Sequence, residues 1–186
     1  MLPTDNTAVR LPLLALRGVV VFPKTVASFD VARKKSANAL RVAMEADQTL
    51  FVATQKDVYV EEPEERDLYE IGTVVKIKQV LKVTDNVIKV LVEGLYRAKR
   101  LTFKNGTRYL VADVLALEEK PLQNRQVYKE SLLRRIKQKF NDYVSVLRGV
   151  APDVLMTAEN SEDIGFLCDY IAYNIPAPFD DKQYVL

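Results

Sequence analysis

Histidine and tryptophan are missing from the 186 residues, and cysteine occurs once. Without histidine the chain loses the commonest general base near neutral pH and the commonest transition-metal ligand. A Ser–His or Cys–His nucleophile is thereby excluded. The single thiol, Cys168, can form no internal disulfide, which fits a reducing, cytoplasmic compartment. Glycine is scarce, with six residues and none closely paired. Neither a GxxxxGK[ST] phosphate loop nor a dinucleotide fingerprint can be found. No uncharged apolar run reaches the roughly 18 residues of a membrane span. The opening MLPTDNTAVRLPLLALRG reads as lacking a secretory leader. The formal net charge of +2 exerts no whole-molecule pull toward nucleic acid or an anionic membrane.

What is present is patterned. In IGTVVKIKQVLKVTDNVIKVLVEGLYR, from Ile71 to Arg97, Val75, Ile77, Leu81 and Val83 fall on one face and Lys76, Lys78 and Lys82 on the other. That period of two predicts a strand with one face buried. A second β-branched run, Val87–Val92, follows Thr84-Asp85-Asn86, so an antiparallel hairpin is expected. Glu93-Gly94 is read as a sharp bend. A hairpin needs further strands or a helix to cover it. Leu11–Phe22 supplies two apolar strand pieces broken near Arg17-Gly18, with Val26–Val31 another extended piece. Lys34–Asp47 carries a helical stripe of Ala37, Leu40, Ala43 and Met44. Thr49–Thr54 reads as a buried strand, and acidic Asp57–Glu70 as a mobile surface loop. Ala98–Phe103 continues extended, Lys104-Asn105-Gly106-Thr107 turns, and Arg108–Glu118 alternates as a last strand.

Composition shifts at Glu118–Pro121. Gln123–Leu147 repeats Tyr128, Leu132, Ile136, Phe140, Tyr143, Val144 and Leu147 at helical spacing, closed by Gly149 and Pro152. A short helix over Pro152–Ala158 comes next, then one capped by Ser161 with Ile164, Leu167, Cys168, Ile171 and Ala172 inward. Asp180 or Asp181 opens a fourth helix that stops at Leu186, which reads as a longer protein cut short. The expectation is an α+β chain: residues 1–119 a small antiparallel β-barrel with one helix, 120–186 an all-α subdomain whose last helix is truncated.

No catalytic, cofactor-binding or metal-ligating set emerges. Glu61, Glu62, Glu64 and Glu65 are not spaced to converge on one ion and read as a solvated loop. The basic side of the long helix, Arg125, Lys129, Arg134, Arg135, Lys137 and Lys139, reads as a wet face or a surface for an acidic partner. Cys168 reads as core. Val21, Phe22 and Pro23 are candidates for a sticky surface that takes extended polypeptide, or else a buried strand. Tyr170 and Tyr173 are candidates for interface anchors or for packing within the helical unit.

Three ordered blocks, LPLLALRGVVVFPKTV, DLYEIGTVVKIKQVLKVTDNVIKVLVEGLYRAK and DDKQYVL, together resemble the N-terminal domain of the bacterial Lon family of ATP-dependent proteases. The resemblance covers almost the whole chain and departs at Gly18, where the family usually has Asp. It implies a PUA-like barrel followed by a helical subdomain, recognising unfolded or damaged polypeptides and supporting a homo-hexamer; the fragment alone could form a weak dimer. It also implies an ATPase module, using ATP and Mg²⁺, and a Ser–Lys protease module, both downstream of Leu186. Alternatives are a stand-alone domain of this type with another partner, and a PUA-like RNA-binding module, which the near-neutral charge disfavours.

Overall fold

A computed structural model describes residues 7–84, 87–118, 126–146 and 151–186. Strand β1 (Val9–Leu16) is buried on both faces, which is why LPLLAL reads as a run and not an alternation. Gly18 turns the chain after it with φ +64°. Strand β2 (Val26–Val31) alternates strictly, and helix α1 (Lys34–Glu45) leads to strand β3 (Thr49–Thr54). Strands β4 (Ile71–Lys82), β5 (Ile88–Asn105) and β6 (Leu110–Ala116) complete a six-stranded sheet.

The order is β2-β5-β4-β3-β1-β6, and β6 also pairs with β5. Strands β1, β3, β4, β5 and β6 therefore close on themselves as a barrel, with β2 added along the first half of β5. The expected α+β class is what forms, with one difference in the sheet: β1 and β3 run parallel, from Leu13↔Phe51 to Leu16↔Thr54. Helix α1, between β2 and β3 in the chain, lies against β1 and β3. One apolar core joins Leu14, Leu16, Phe29, Val75, Val90 and Val92 to Leu40 and Ala43 of α1. A second gathers Leu11, Leu13, Phe51, Val74, Ala98, Leu110 and Val114.

Three single-residue bulges bend the long strands. Leu95 and Lys78 are extra in the β4–β5 ladder and Leu101 in the β5–β6 ladder. A bulge shifts alternation by one residue. Past Lys78 the sides exchange and the hairpin runs out beyond the barrel, so Leu81 and Val83 are exposed where the plain alternation placed them inside. The hairpin's Asp85 and Asn86 lie outside the described residues.

Gly94 is not a bend. Strand β5 continues through it, and the backbone of Phe22 crosses directly above: a Cβ there would collide with the Phe22 carbonyl oxygen. Lys24 N donates to Gly94 O at 2.8 Å and Gly94 N to Thr25 O at 2.9 Å, so neither chain has room to retreat. Gly94→Ala is expected to cost about 2–3 kcal/mol, as overpacking against rigid backbone does. A urea midpoint equal to that of the parent would contradict this crossing.

The acidic stretch expected to be a mobile loop is held. Glu65–Asp67 forms a 3-10 turn, Leu68 is buried in the second core, and Gln55 and Leu68 form a bridge. Arg100, itself buried, binds the Glu65 side chain at 2.8 Å.

Helices α2 (Gln126–Val146), α3 (Pro152–Asn160), α4 (Ile164–Asn174) and α5 (Phe179–Val185) follow. Arg125 and the expected closing residues Leu147 and Gly149 lie outside the described residues. Ser161 is not the cap of α4: it terminates α3, and Asp163 accepts from Phe166 N at 3.2 Å. Burial pushes the Asp163 carboxyl up, but the amide hydrogen bond and Lys24 together bring it below the usual value. The last helix persists because the barrel holds it. Gln183 Nε2 donates to Ile71 O at 3.0 Å, and Tyr69 Oη donates to Asp180 at 2.9 Å.

Candidate functional site

Val19–Phe22 is extended but belongs to no strand. Its carbonyls are satisfied by hydroxyls instead: Thr54 to Val19 O at 2.8 Å, Thr73 to Val21 O at 2.5 Å, Thr25 to Phe22 O at 2.8 Å. Buried carbonyls require such partners, and threonine can supply them without a ladder. Phe22 is wholly enclosed, at 0 % exposure, and packs with Val20, Ala172, Tyr173, Phe179 and Leu186. Val21 and Pro23 are buried beside it. The segment singled out as sticky is therefore the seat on which α4 and α5 rest.

The two tyrosines separate. Tyr173 donates to Val26 O at 2.8 Å and packs on both the barrel core and the Phe22 cluster, so it fastens α4 to the barrel. Tyr170 stacks on Phe166 with ring centres 5.5 Å apart and joins the cluster formed by α2, α3 and α4. Between helices and barrel lies the ion pair of Arg97 (β5) and Asp169 (α4). Arg97 Nη1 meets Asp169 Oδ2 at 2.9 Å, Nη2 meets Oδ1, and Nε donates to Leu186 O at 2.6 Å.

On the opposite side of α4 the apolar surface is not covered. Helix α2 buries only Phe140 fully, although its stripe includes Leu132, Ile136 and Tyr143. Those residues, with Phe140 and with Ile171 and Ile175 on and just after α4, line a groove of about 430 Å³. Arg135 and Lys139 frame it. The walls are almost wholly hydrocarbon, so the groove can take an apolar side chain, while the cations attract carboxylates or carbonyls beside it. The sequence marks the apolar residues of the helical unit as positions an unfolded chain could protect, without singling out this stripe. Helical periodicity marks which residues share a face but not whether another helix covers it; the exposure of Tyr128 and Val146 on the same helix was the missing information.

A family model for the "ATP-dependent protease La (LON) substrate-binding domain" matches residues 10–186. The chain belongs to the Lon substrate-binding domain family. It is 40% identical over 176 residues to Lon protease of Brevibacillus choshinensis, covering 95% of this chain and 22% of that protein. Lon protease of Escherichia coli strain K12 is 35% identical over 186 residues, covering 100% of this chain and 24% of that protein. The chain thus spans about a quarter of these curated relatives. The solved N-terminal domain of Mycobacterium avium complex Lon protease superposes with TM-score 0.53 at 19% identity, covering 95% of this chain and 96% of that one, so the fold is shared.

The remaining candidates of the Lon domain resolve by position. Of the basic side chains on α2, Arg135 and Lys139 frame the groove, whereas Lys137 donates to Glu159 O at 2.5 Å and ties α2 to α3. Cys168 is half-buried, and burial pushes its thiol up, away from a reactive thiolate. Among the described residues no group of three or more Asp, Glu, Cys or His side chains could hold a metal ion, and no helix is long and apolar enough to cross a membrane.

Proposed function

We propose that this Lon domain captures unfolded or damaged polypeptide in the α2–α4 groove, as a non-catalytic part of a cytoplasmic ATP-dependent serine protease that assembles as a homo-hexamer. The uncovered apolar groove carries the reading. Unfolded chains expose the large apolar side chains that folded proteins hide, and a hydrocarbon-walled groove gains free energy by removing them from water. Capture at one groove is weak and tolerant of sequence, which suits a site that must accept many chains; several copies in an oligomer raise the avidity. Phe22, Tyr173 and the Arg97–Asp169 pair act behind the site, by fixing α4 against the barrel. ATP, Mg²⁺ and the Ser–Lys chemistry belong to modules outside these residues, and no step through nucleotide or metal is assigned to this chain.

The test is binding of a labelled protein in two forms, native and reduced-and-alkylated. The unfolded form is expected to bind more tightly. Leu132→Ser combined with Tyr143→Ser, two substitutions at partly exposed positions, is expected to weaken that binding about tenfold or more while leaving the melting temperature nearly unchanged. Equal affinity for both forms, or an unaffected double variant, would overturn the groove as the site.

A further inference from the structure

The cations that border the α2–α4 groove are short of anions of their own. Helix α2 carries five lysines and arginines against two acids, although the whole chain has a formal net charge of only +2. The positive excess of the molecule is therefore gathered on this one helix. Its two acids do little to offset it at the groove. Glu130 accepts from Gln126 Nε2 at 2.8 Å and does not line the groove. Asp142 comes only within 4.0 Å of Lys139, with both side chains mostly exposed, a pair of little strength. Arg135 has no hydrogen bond or ion pair with any described residue.

Arg135 and Lys139 stand four residues apart, so they neighbour each other one turn apart on the helix surface. Like charges at that spacing repel, yet both line the groove beside Leu132, Ile136 and Tyr143. The facing wall, Ile171 and Ile175, brings no charge, and no acid lines the groove. The acids of α4 and its cap are engaged elsewhere: Asp169 with Arg97 and Asp163 with Lys24. The groove is thus electrically one-sided, with hydrocarbon walls and two exposed cations. Next to such walls water screens charge less than it does in the open, so the sign of an incoming side chain counts.

We infer that the groove selects among unfolded chains by charge. Its occupant is a polypeptide segment in which a large apolar residue has aspartate or glutamate within a few positions, and segments with lysine or arginine there are turned away. This rests on the groove being the capture site and adds what that site prefers. The walls gain from any exposed leucine, isoleucine or phenylalanine, so they supply affinity without choosing. The choice falls to Arg135, whose guanidinium can take a carboxylate bidentately, and to Lys139, which acts as a point charge. Attraction of acidic flanks and repulsion of basic ones together separate the two classes of segment. Nucleic acid would satisfy the cations but has no aliphatic side chain to cover Leu132, Ile136, Ile171 and Ile175, which is why the occupant is polypeptide.

The test uses three fluorescent, unstructured peptides that share a central Leu-Phe pair and differ only in its flanks: glutamate, glutamine or lysine. Their binding to the 186-residue chain is followed by anisotropy at about 0.1 M and about 1 M sodium chloride, where charges reach about 10 Å and about 3 Å. At the lower salt the glutamate peptide is expected to bind about tenfold more tightly than the lysine peptide, with glutamine between them. At the higher salt the spread should fall below about threefold. Arg135→Gln with Lys139→Gln should level the three, and Arg135→Glu with Lys139→Glu should reverse their order. Both positions are exposed, so neither variant should move the melting temperature appreciably. Equal binding of the three peptides, or an order that the glutamate variant leaves unchanged, overturns the charge selection; if Leu132→Ser with Tyr143→Ser still weakens binding, capture at the groove stands without it. Failure of all three peptides to bind, or binding that the serine variant leaves intact, overturns groove and selection together. Displacement of the glutamate peptide by an equal concentration of oligouridylate would assign the basic face to nucleic acid and overturn the inference.

Discussion

Asp169→Ala is expected to lower the stability of the domain by about 3–5 kcal/mol, the usual cost of removing one partner of a buried ion pair. Its carboxylate is 3% exposed and the Arg97 side chain 17% exposed. With alanine at 169 the guanidinium keeps its bond to Leu186 O but loses the Asp169 carboxylate, in a place where water cannot fully replace it. The pair is not expected to be worth that much in itself. Arg97→Met with Asp169→Leu, which removes both charges and keeps the volume, should recover most of the loss. Urea unfolding of the three variants decides the matter. If Asp169→Ala lies within about 0.5 kcal/mol of the parent, the pair is not structural.

Phe22→Ala should cost a similar amount, about 3–5 kcal/mol, because a fully enclosed ring leaves a cavity that its neighbours cannot fill. Phe22→Leu, nearer in volume, should cost less than about 1.5 kcal/mol. The site of the damage is also expected to be specific. Ala172, Tyr173, Phe179 and Leu186 lose their contact, so amide exchange should accelerate in α4 and α5 before it does in β4 and β5. The wall residues Ile171 and Ile175 depend on α4, so capture of unfolded polypeptide should fall although Phe22 does not itself line the groove. A uniform acceleration across barrel and helices would mean that Phe22 belongs to the barrel core alone. Combined with Asp169→Ala the two losses should not add, since both release the same helices.

Much of the fold was legible because it rests on short-range pattern. The period of two in Arg108–Glu118 puts Leu110, Ala112 and Val114 on one side, and in β6 that side is the buried one. The helical stripe of Lys34–Asp47 places Leu40 and Ala43 in the core beneath α1. Other readings failed for want of a neighbour. Gly94 has the same local signature whether the chain bends or another backbone passes over it. Leu81 and Val83 obey the alternation of their strand until Lys78, and nothing in the residues around Lys78 announces a bulge. Ser161 and Asp163 are both good caps, and the choice fell to the one whose side chain meets Phe166 N.

The candidate site shows the same division more sharply. Val21, Phe22 and Pro23 were conspicuous as an apolar run, and that run becomes a joint because three threonines distant in sequence from one another supply hydroxyls to carbonyls that no strand pairs. The groove was hidden in a stripe that resembles any packed helix.

The residues alone determined most of the elements, the α+β composition, the lack of a histidine-based nucleophile and the likeness to Lon, since these follow from identity and spacing within one segment. Tertiary structure alone decided the closure of the barrel through a parallel β1–β3 pair, the seating of α4 and α5 on Phe22, and the half of α2 left bare. Those outcomes depend on which distant groups meet, because burial, counter-charge and hydrogen-bond satisfaction are properties of pairs of segments and not of either one.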